Sequence, residues 1–130
     1  MKVLDTDTCV HLLRGNTRVI ERRAAVDDDV VTTWITAGEL FYGAAKSKAP
    51  AANTAVVHAF LDTLDVLDAD IATARLFGEL KAHLAARGAL VTDADLLIAS
   101  IALAHGADVV TGNQRHFARV PGVRCEDWFR

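Results

Sequence analysis

The chain has 130 residues, 52% hydrophobic and 24% charged, with a formal net charge of −3. That length predicts one domain over 1–130, able to bury roughly 68% of its unfolded surface without staples, and the composition excludes a disordered chain. No apolar run approaches about 18 residues, which excludes a membrane-spanning helix, and Asp5 and Asp7 interrupt any apolar leader, so a cytoplasmic protein is expected.

The two cysteines, Cys9 and Cys125, lack paired spacing. A zinc knuckle is excluded, and both are expected to be reduced thiols in apolar space. A mildly acidic chain that handles nucleic acid needs local basic patches, or metal ions that invert the local sign.

Val3-Leu4 runs straight into Asp5, which predicts a buried strand over 2–5 whose last residue emerges at a sheet edge. Asp7 or Thr8 can cap a helix carrying Val10, Leu12 and Leu13, ended by Gly15 and Asn16. Thr17 caps a second helix, closed by the acidic run 27–29, and 30–33 is a β-branched strand. Thr36 begins a helix to about 46, and Pro50 precedes a fourth helix over 51–64. A third strand spans 65–67. Asp70 caps a long helix to 86, which Gly88 ends. Thr92 caps a strongly apolar helix to 105, a fourth strand covers 108–111, a turn of helix covers 113–117, and a last short strand covers 123–125. Strands alternating with helices predict a three-layer α/β/α sandwich around a parallel sheet of about five strands.

In such a sheet the C-terminal strand ends share one edge, where ligands bind. Asp5 ends the first strand. Glu39 lies in the opening turns of the helix after the second. Asp95 opens the helix that feeds the fourth strand, and Asn113 and His116 follow that strand. Asp5, Glu39, Asp95 and Asn113 are therefore expected to converge, with Asp7 or His116 joining them. Clustered carboxylates repel unless a cation sits among them, and oxygen ligands favour a hard ion, Mg²⁺ or Mn²⁺. A hard dication held by carboxylates activates water and neutralises charge on phosphate oxygens, which is the apparatus for phosphodiester hydrolysis. Arg14, Arg115, His116 and the Lys46/Lys48 pair are the candidate phosphate contacts.

Simpler roles compete. Thr36-x-x-Glu39 fits a capping box, and Thr92-x-x-Asp95 nearly does. Asp7 reads as an N-cap and Asp93 as a group answering the helix dipole. Asp5 has no cap to make inside a strand, so its position argues function. The opening loosely resembles the first motif of haloacid-dehalogenase-like phosphatases, but Thr8 follows Asp7 one position early, and Lys81 lies in mid-helix. A receiver-like phosphoacceptor domain would need a lysine that no later strand end supplies.

With the acids placed, the chain resembles the PIN-domain ribonucleases, and among them the VapC-type toxins of toxin–antitoxin pairs. The resemblance rests on Leu4-Asp5-Thr6 with Leu13-Arg14-Gly15; on Ile35-Thr36-Ala37-Gly38-Glu39-Leu40 with Gly43; on Asp95-Leu96-Leu97-Ile98-Ala99; and on Val110-Thr111-Gly112-Asn113 through Phe117, closing with Val123 and Glu126-Asp127-Trp128. It implies a Mg²⁺-dependent endoribonuclease with Asp5, Asp95 and Glu39 as metal ligands and Thr111 steadying the site. It also implies an RNA substrate, a small antitoxin and a homodimer. Two positions depart from the family pattern: Asp7 stands where Asn is usual, and the neutral Asn113 stands where a fourth acid is usual. A second reading therefore keeps the fold as an RNA- or antitoxin-binding module that has lost turnover. The aromatic residues Trp34, Phe41 and Tyr42 are assigned either to a partner-covered edge or to the core.

Overall fold

The computed structural model describes residues 1–130. Five strands, β1 (Lys2–Leu4), β2 (Val30–Thr33), β3 (Asp65–Leu67), β4 (Asp108–Val110) and β5 (Cys125–Glu126), form one sheet in the order β3-β2-β1-β4-β5. Every pairing is parallel. The first strand in sequence is thus the middle strand in space. Seven helices connect and cover the sheet: α1 (Thr6–Leu13), α2 (Thr17–Ala25), α3 (Trp34–Ala45), α4 (Pro50–Leu61), α5 (Ile71–Ala86), α6 (Asp93–Ala104) and α7 (Gln114–Phe117).

The central strands β1 and β4 carry successive apolar residues, Val3-Leu4 and Val109-Val110, because both their faces are buried. Val3, Val31 and Val109 share a register and face one core, with Leu84 of α5, Leu96, Ile98 and Ile101 of α6, and Phe117 of α7. Their neighbours Leu4 and Val110 face the opposite core, with Cys9, Val19, Leu40, Val57 and Trp128. Side chains alternate across a strand, so two adjacent residues serve two layers. Val3 and Leu4 are both fully buried, each contributing about 1.5–3 kcal/mol from burial alone. The three-layer α/β/α sandwich expected from the alternating elements is the fold observed.

Several helix starts differ from the sequence reading. Asp5, not Asp7 or Thr8, is the N-cap of α1: the chain leaves β1 at Leu4, and Asp5 Oδ1 accepts the Thr6 N–H at 2.8 Å. Asn16 rather than Thr17 caps α2. Helix α3 begins at Trp34, because Thr33 already closes the strand and its hydroxyl accepts the Thr36 N–H at 3.2 Å. The expected capping box at Thr36 and Glu39 therefore does not form, and Glu39 falls in the second turn. Helix α4 stops at Leu61, and β5 occupies 125–126 rather than 123–125. The expected caps Asp70 and Thr92 do hold α5 and α6, with Thr92 Oγ1 accepting the Asp95 N–H at 3.2 Å. Asp93, at the start of α6, pairs with Lys81 at 2.9 Å.

At its starting edge the sheet carries compensated charge. Lys2 Nζ reaches Asp108 at 2.8 Å and Glu126 at 2.6 Å, and Arg124 takes the second oxygen of Asp108 at 2.7 Å. Both cysteines are free. Burial pushes the Cys9 thiol up to about 12, so it stays protonated and acts as core filling.

Candidate active site

The opposite edge carries acids that no Lys or Arg pairs with. Asp5 sits where β1 hands over to α1, and only 4% of it is exposed. Its two carboxylate oxygens are separately held: Oδ1 by the Thr6 N–H, and Oδ2 by the Thr111 hydroxyl at 2.8 Å. Thr111 lies just beyond β4 and is fully buried, and its oxygen also accepts the Asn113 N–H at 2.9 Å. Glu39 approaches from α3. It is exposed, and its Oε1 accepts the Thr6 hydroxyl at 2.7 Å. That hydroxyl is 3.1 Å from the hydroxyl of buried Thr36. Asp95 comes from the first turn of α6, and its Oδ2 is 3.6 Å from His116 Nδ1.

Asp7 does not cap a helix, because Asp5 already fills that position. Its Oδ2 instead accepts the Gly112 N–H at 2.9 Å and ties α1 to the loop after β4. A glycine suits this position: a Cβ on Gly112 would overlap the Phe129 ring and stand 3.0 Å from Asp7 Oδ2. Gly112→Ala is expected to cost about 1–3 kcal/mol, through displacement of the Phe129 ring and loosening of the Asp7 tie. A lowered midpoint in urea with unchanged slope would show it; an unchanged midpoint would mean that the loop yields freely.

These groups line a cleft of about 400 Å³ that gathers Asp5, Asp7, Glu39, Asp95 and Asn113, with Thr6, Val10, His11 and Arg14. Of the residues singled out in the sequence, Asp5, Asp7, Glu39, Asp95, Asn113 and Arg14 come together in the cleft. Thr111 supports Asp5 from beneath. His116 touches Asp95, and Arg115 is exposed on α7. Lys46 lies in a neighbouring groove with its ammonium 4.7 Å from the centroid of the Tyr42 ring, and Lys48 lines neither space. Thr6, Thr36 and Gly112 carry positioning contacts that no local spacing marks, because each bond joins distant segments.

Electrostatics single out Asp5. Burial first, and then the charge of Asp7, with a smaller contribution from Asp95, push its carboxyl up to about 7, against the Thr111 hydroxyl and the Thr6 N–H. Asp7 is also raised, by burial above all, opposed by the Gly112 and Thr8 N–H groups. No Lys or Arg forms an ion pair with Asp5, Asp7, Glu39 or Asp95. The donors are all hard oxygens, which fits Mg²⁺ or Mn²⁺ in type. No three acidic, histidine or cysteine side chains stand close enough to form a finished metal cage, so any ion held here would draw in the exposed Glu39 and keep water ligands.

Beside the cleft runs a second space of about 410 Å³ between α1, α3 and α4. It shares Thr6, Val10, Arg14 and Glu39 with the cleft and is walled by Leu13, Leu40, Val56 and Val57. Trp34 and Tyr42 are exposed rather than core, at 48% and 66%.

The profile of the family described as PIN domain matches residues 2–123. The chain is 42% identical over 127 residues to the tRNA(fMet)-specific endonuclease VapC of Salmonella typhimurium, a match covering 97% of this chain and 96% of that protein. It is 35% identical, with the same coverage, to ribonuclease VapC2 of Haemophilus influenzae. Among solved structures, DNA-bound VapBC from Salmonella typhimurium superposes with a TM-score of 0.92 at 41% identity, covering 98% of this chain and 97% of that one.

Proposed function

The chain belongs to the PIN domain family, and on that premise we propose that it is a Mg²⁺-dependent endoribonuclease acting as the toxin of a toxin–antitoxin pair. The observation that carries this reading is the gathering of Asp5, Asp7, Glu39 and Asp95 on one cleft with no Lys or Arg paired to any of them. Asp5, Asp95 and Glu39 are the residues proposed to hold the ion. When bound, Mg²⁺ supplies a Lewis acid that lowers the pKa of water and offsets charge on the phosphate oxygens. The protein's own groups do the rest. Thr111 and the Thr6 N–H fix both oxygens of Asp5, so it meets its ligand without reorganising. Thr6 Oγ1 aims Glu39 into the cleft. Arg14 at the mouth, and Arg115 with His116 on α7, are placed to hold flanking phosphates. Asn113 offers a neutral amide where a further charge would repel the substrate.

The relatives named for tRNA(fMet) make initiator tRNA the first substrate to test. Cleavage is expected in Mg²⁺ or Mn²⁺ and not in excess chelator. Equal cleavage with and without chelator would sink the metal-dependent reading. Binding without any cleavage would move the protein to the non-catalytic class.

Solved VapBC complexes among the structural neighbours support a cognate antitoxin as the partner. We assign its docking site to the apolar groove between α1, α3 and α4, which shares residues with the acidic cleft and is lined by exposed Val56. Val56 is 52% exposed, so Val56→Asp leaves the fold intact. It is expected to weaken antitoxin binding by roughly 1.5–3 kcal/mol, by seating a charge against an apolar surface. Calorimetric titration of the co-expressed antitoxin would measure this, and unchanged affinity would place the partner elsewhere.

A further inference from the structure

One wall of the acidic cleft is unused by the chemistry just described. His11 lies in the last turn of α1 and lines the cleft beside Asp7. Its ring packs on Phe129, with centroids 4.3 Å apart and planes tilted by 34°. Its Nδ1 is 2.9 Å from Asn16 Nδ2. Asn16 is the N-cap of α2, and its Oδ1 accepts the N–H groups of Arg18 and Val19 at 3.1 and 3.3 Å.

These contacts decide where the imidazole proton sits. The helix terminus claims the amide oxygen of Asn16, so the amide NH₂ must face the ring. That NH₂ can only donate, so Nδ1 must accept, and the neutral ring carries its proton on Nε2. No hydrogen bond within the protein uses Nε2. No buried polar side-chain atom lacks a partner, so Nε2 reaches solvent.

We propose that His11 is a substrate-binding residue whose Nε2–H donates to a non-bridging phosphate oxygen of the RNA, and that Asn16 is the positioning residue that sets its tautomer. The inference rests on the ribonuclease reading above. Phosphate passing a wall that carries Asp7 and Asp5 needs donors, and His11 offers one whose direction is fixed before the substrate arrives. The alternative is a purely structural tie between α1 and α2.

Two substitutions separate these roles. Asn16→Asp keeps an oxygen on the α2 terminus, where Asp caps as well as Asn. It turns an acceptor toward Nδ1, so the neutral ring carries its proton on Nδ1 and Nε2 loses its donor; both measurements below are made in alkaline buffer, which keeps the ring neutral beside the new carboxylate. His11→Phe keeps the stack on Phe129 and removes both nitrogens. Imidazole ¹⁵N NMR on the metal-free protein reads the tautomer. Fluorescence anisotropy with a labelled single-stranded oligoribonucleotide, with Ca²⁺ replacing Mg²⁺ to hold turnover down, reads binding. The wild type is expected to show a bare Nδ1 and a protonated Nε2, and Asn16→Asp the reverse. Both variants are expected to bind RNA about tenfold more weakly, as for loss of one hydrogen bond to a charged group, with the thermal transition of Asn16→Asp unchanged. A wild-type proton on Nδ1 overturns the proposal, as does a moved proton with binding intact. Wild-type protein that binds RNA while both variants bind equally sinks the His11 contact alone. Wild-type protein that binds no RNA sinks the contact and the ribonuclease reading together.

Discussion

Asp5→Asn is expected to lower RNA cleavage at least about 100-fold while leaving a folded protein. The substitution is nearly isosteric. Asn is as good an N-cap as Asp, so the Thr6 N–H keeps its acceptor and α1 keeps its start. What disappears is the charge that Thr111, Thr6 and the backbone hold in place. Because the group is 4% exposed and both its oxygens are fixed, no neighbour can swing in to replace it. The loss should appear in kcat as well as in metal affinity. Asp7→Asn is the informative companion: Asp7 binds the Gly112 N–H with an oxygen that Asn also possesses, so that tie survives and the fall in cleavage should be smaller. If Asp5→Asn cleaved at the wild-type rate, the cleft would not be the site of chemistry.

The second large effect is on stability, and it opposes the first. The folded-state acidity of Asp5 lies near pH 7, against an ordinary value of 3.8. Between these values the native state holds a proton that the unfolded chain has already released. Unfolding therefore releases protons, and stability falls as pH rises across that window. A shift of this size corresponds to about 4 kcal/mol at most. The metal-free protein should thus melt lower at pH 8 than at pH 5, by roughly 5–15 °C for a chain of this size. Asp28, Asp70 and Asp108 are shifted the other way, by hydrogen bonds in each case and ion pairs at Asp28 and Asp108, and their contribution is lost only in stronger acid. The cleanest measure is the difference between wild type and Asp5→Asn. The variant should be the more stable at pH 8, and the gap should close near pH 4. Millimolar Mn²⁺ should raise the wild-type midpoint at pH 8 far more than at pH 5, because it binds the ionised carboxylates. A wild-type midpoint that tracks the variant at every pH would mean that Asp5 ionises freely in the folded protein.

The large features of this site could be read from residue order. Val3-Leu4 stopping at Asp5 marked a strand end at a sheet edge, and acids near the starts of α3 and α6 had to face the same edge once the sheet was parallel. The finer assignments failed where a role depended on a distant partner. Asp7 read as a cap because acids at helix starts usually are; the vacancy was already filled by Asp5, and its actual partner Gly112 is 105 residues away. Thr36 read as a cap because Thr-x-x-Glu is a local pattern, yet Thr33 offered the same hydroxyl three residues earlier, at the end of β2. Thr6 stood in the opening motif, but nothing local marked its contact. Its hydroxyl matters only because Glu39 lies across from it, 33 residues further on. Trp34 and Tyr42 are apolar enough for a core and turned out exposed, because α3 buries Ile35, Leu40 and Ala44 instead.

The bond from Thr111 to Asp5 spans 106 residues, and β1 pairs with β4 across the same gap. Contacts so far apart in the chain are slow to form, since the intervening loop must close before any pairing rewards it. The hydroxyl that finishes the first carboxylate thus arrives only when the central strands have met. A half-folded chain, however much helix it has formed, lacks this arrangement. On the ribonuclease reading, cleavage in this way waits for the central strands to pair, and a chain trapped before that step is idle as an enzyme.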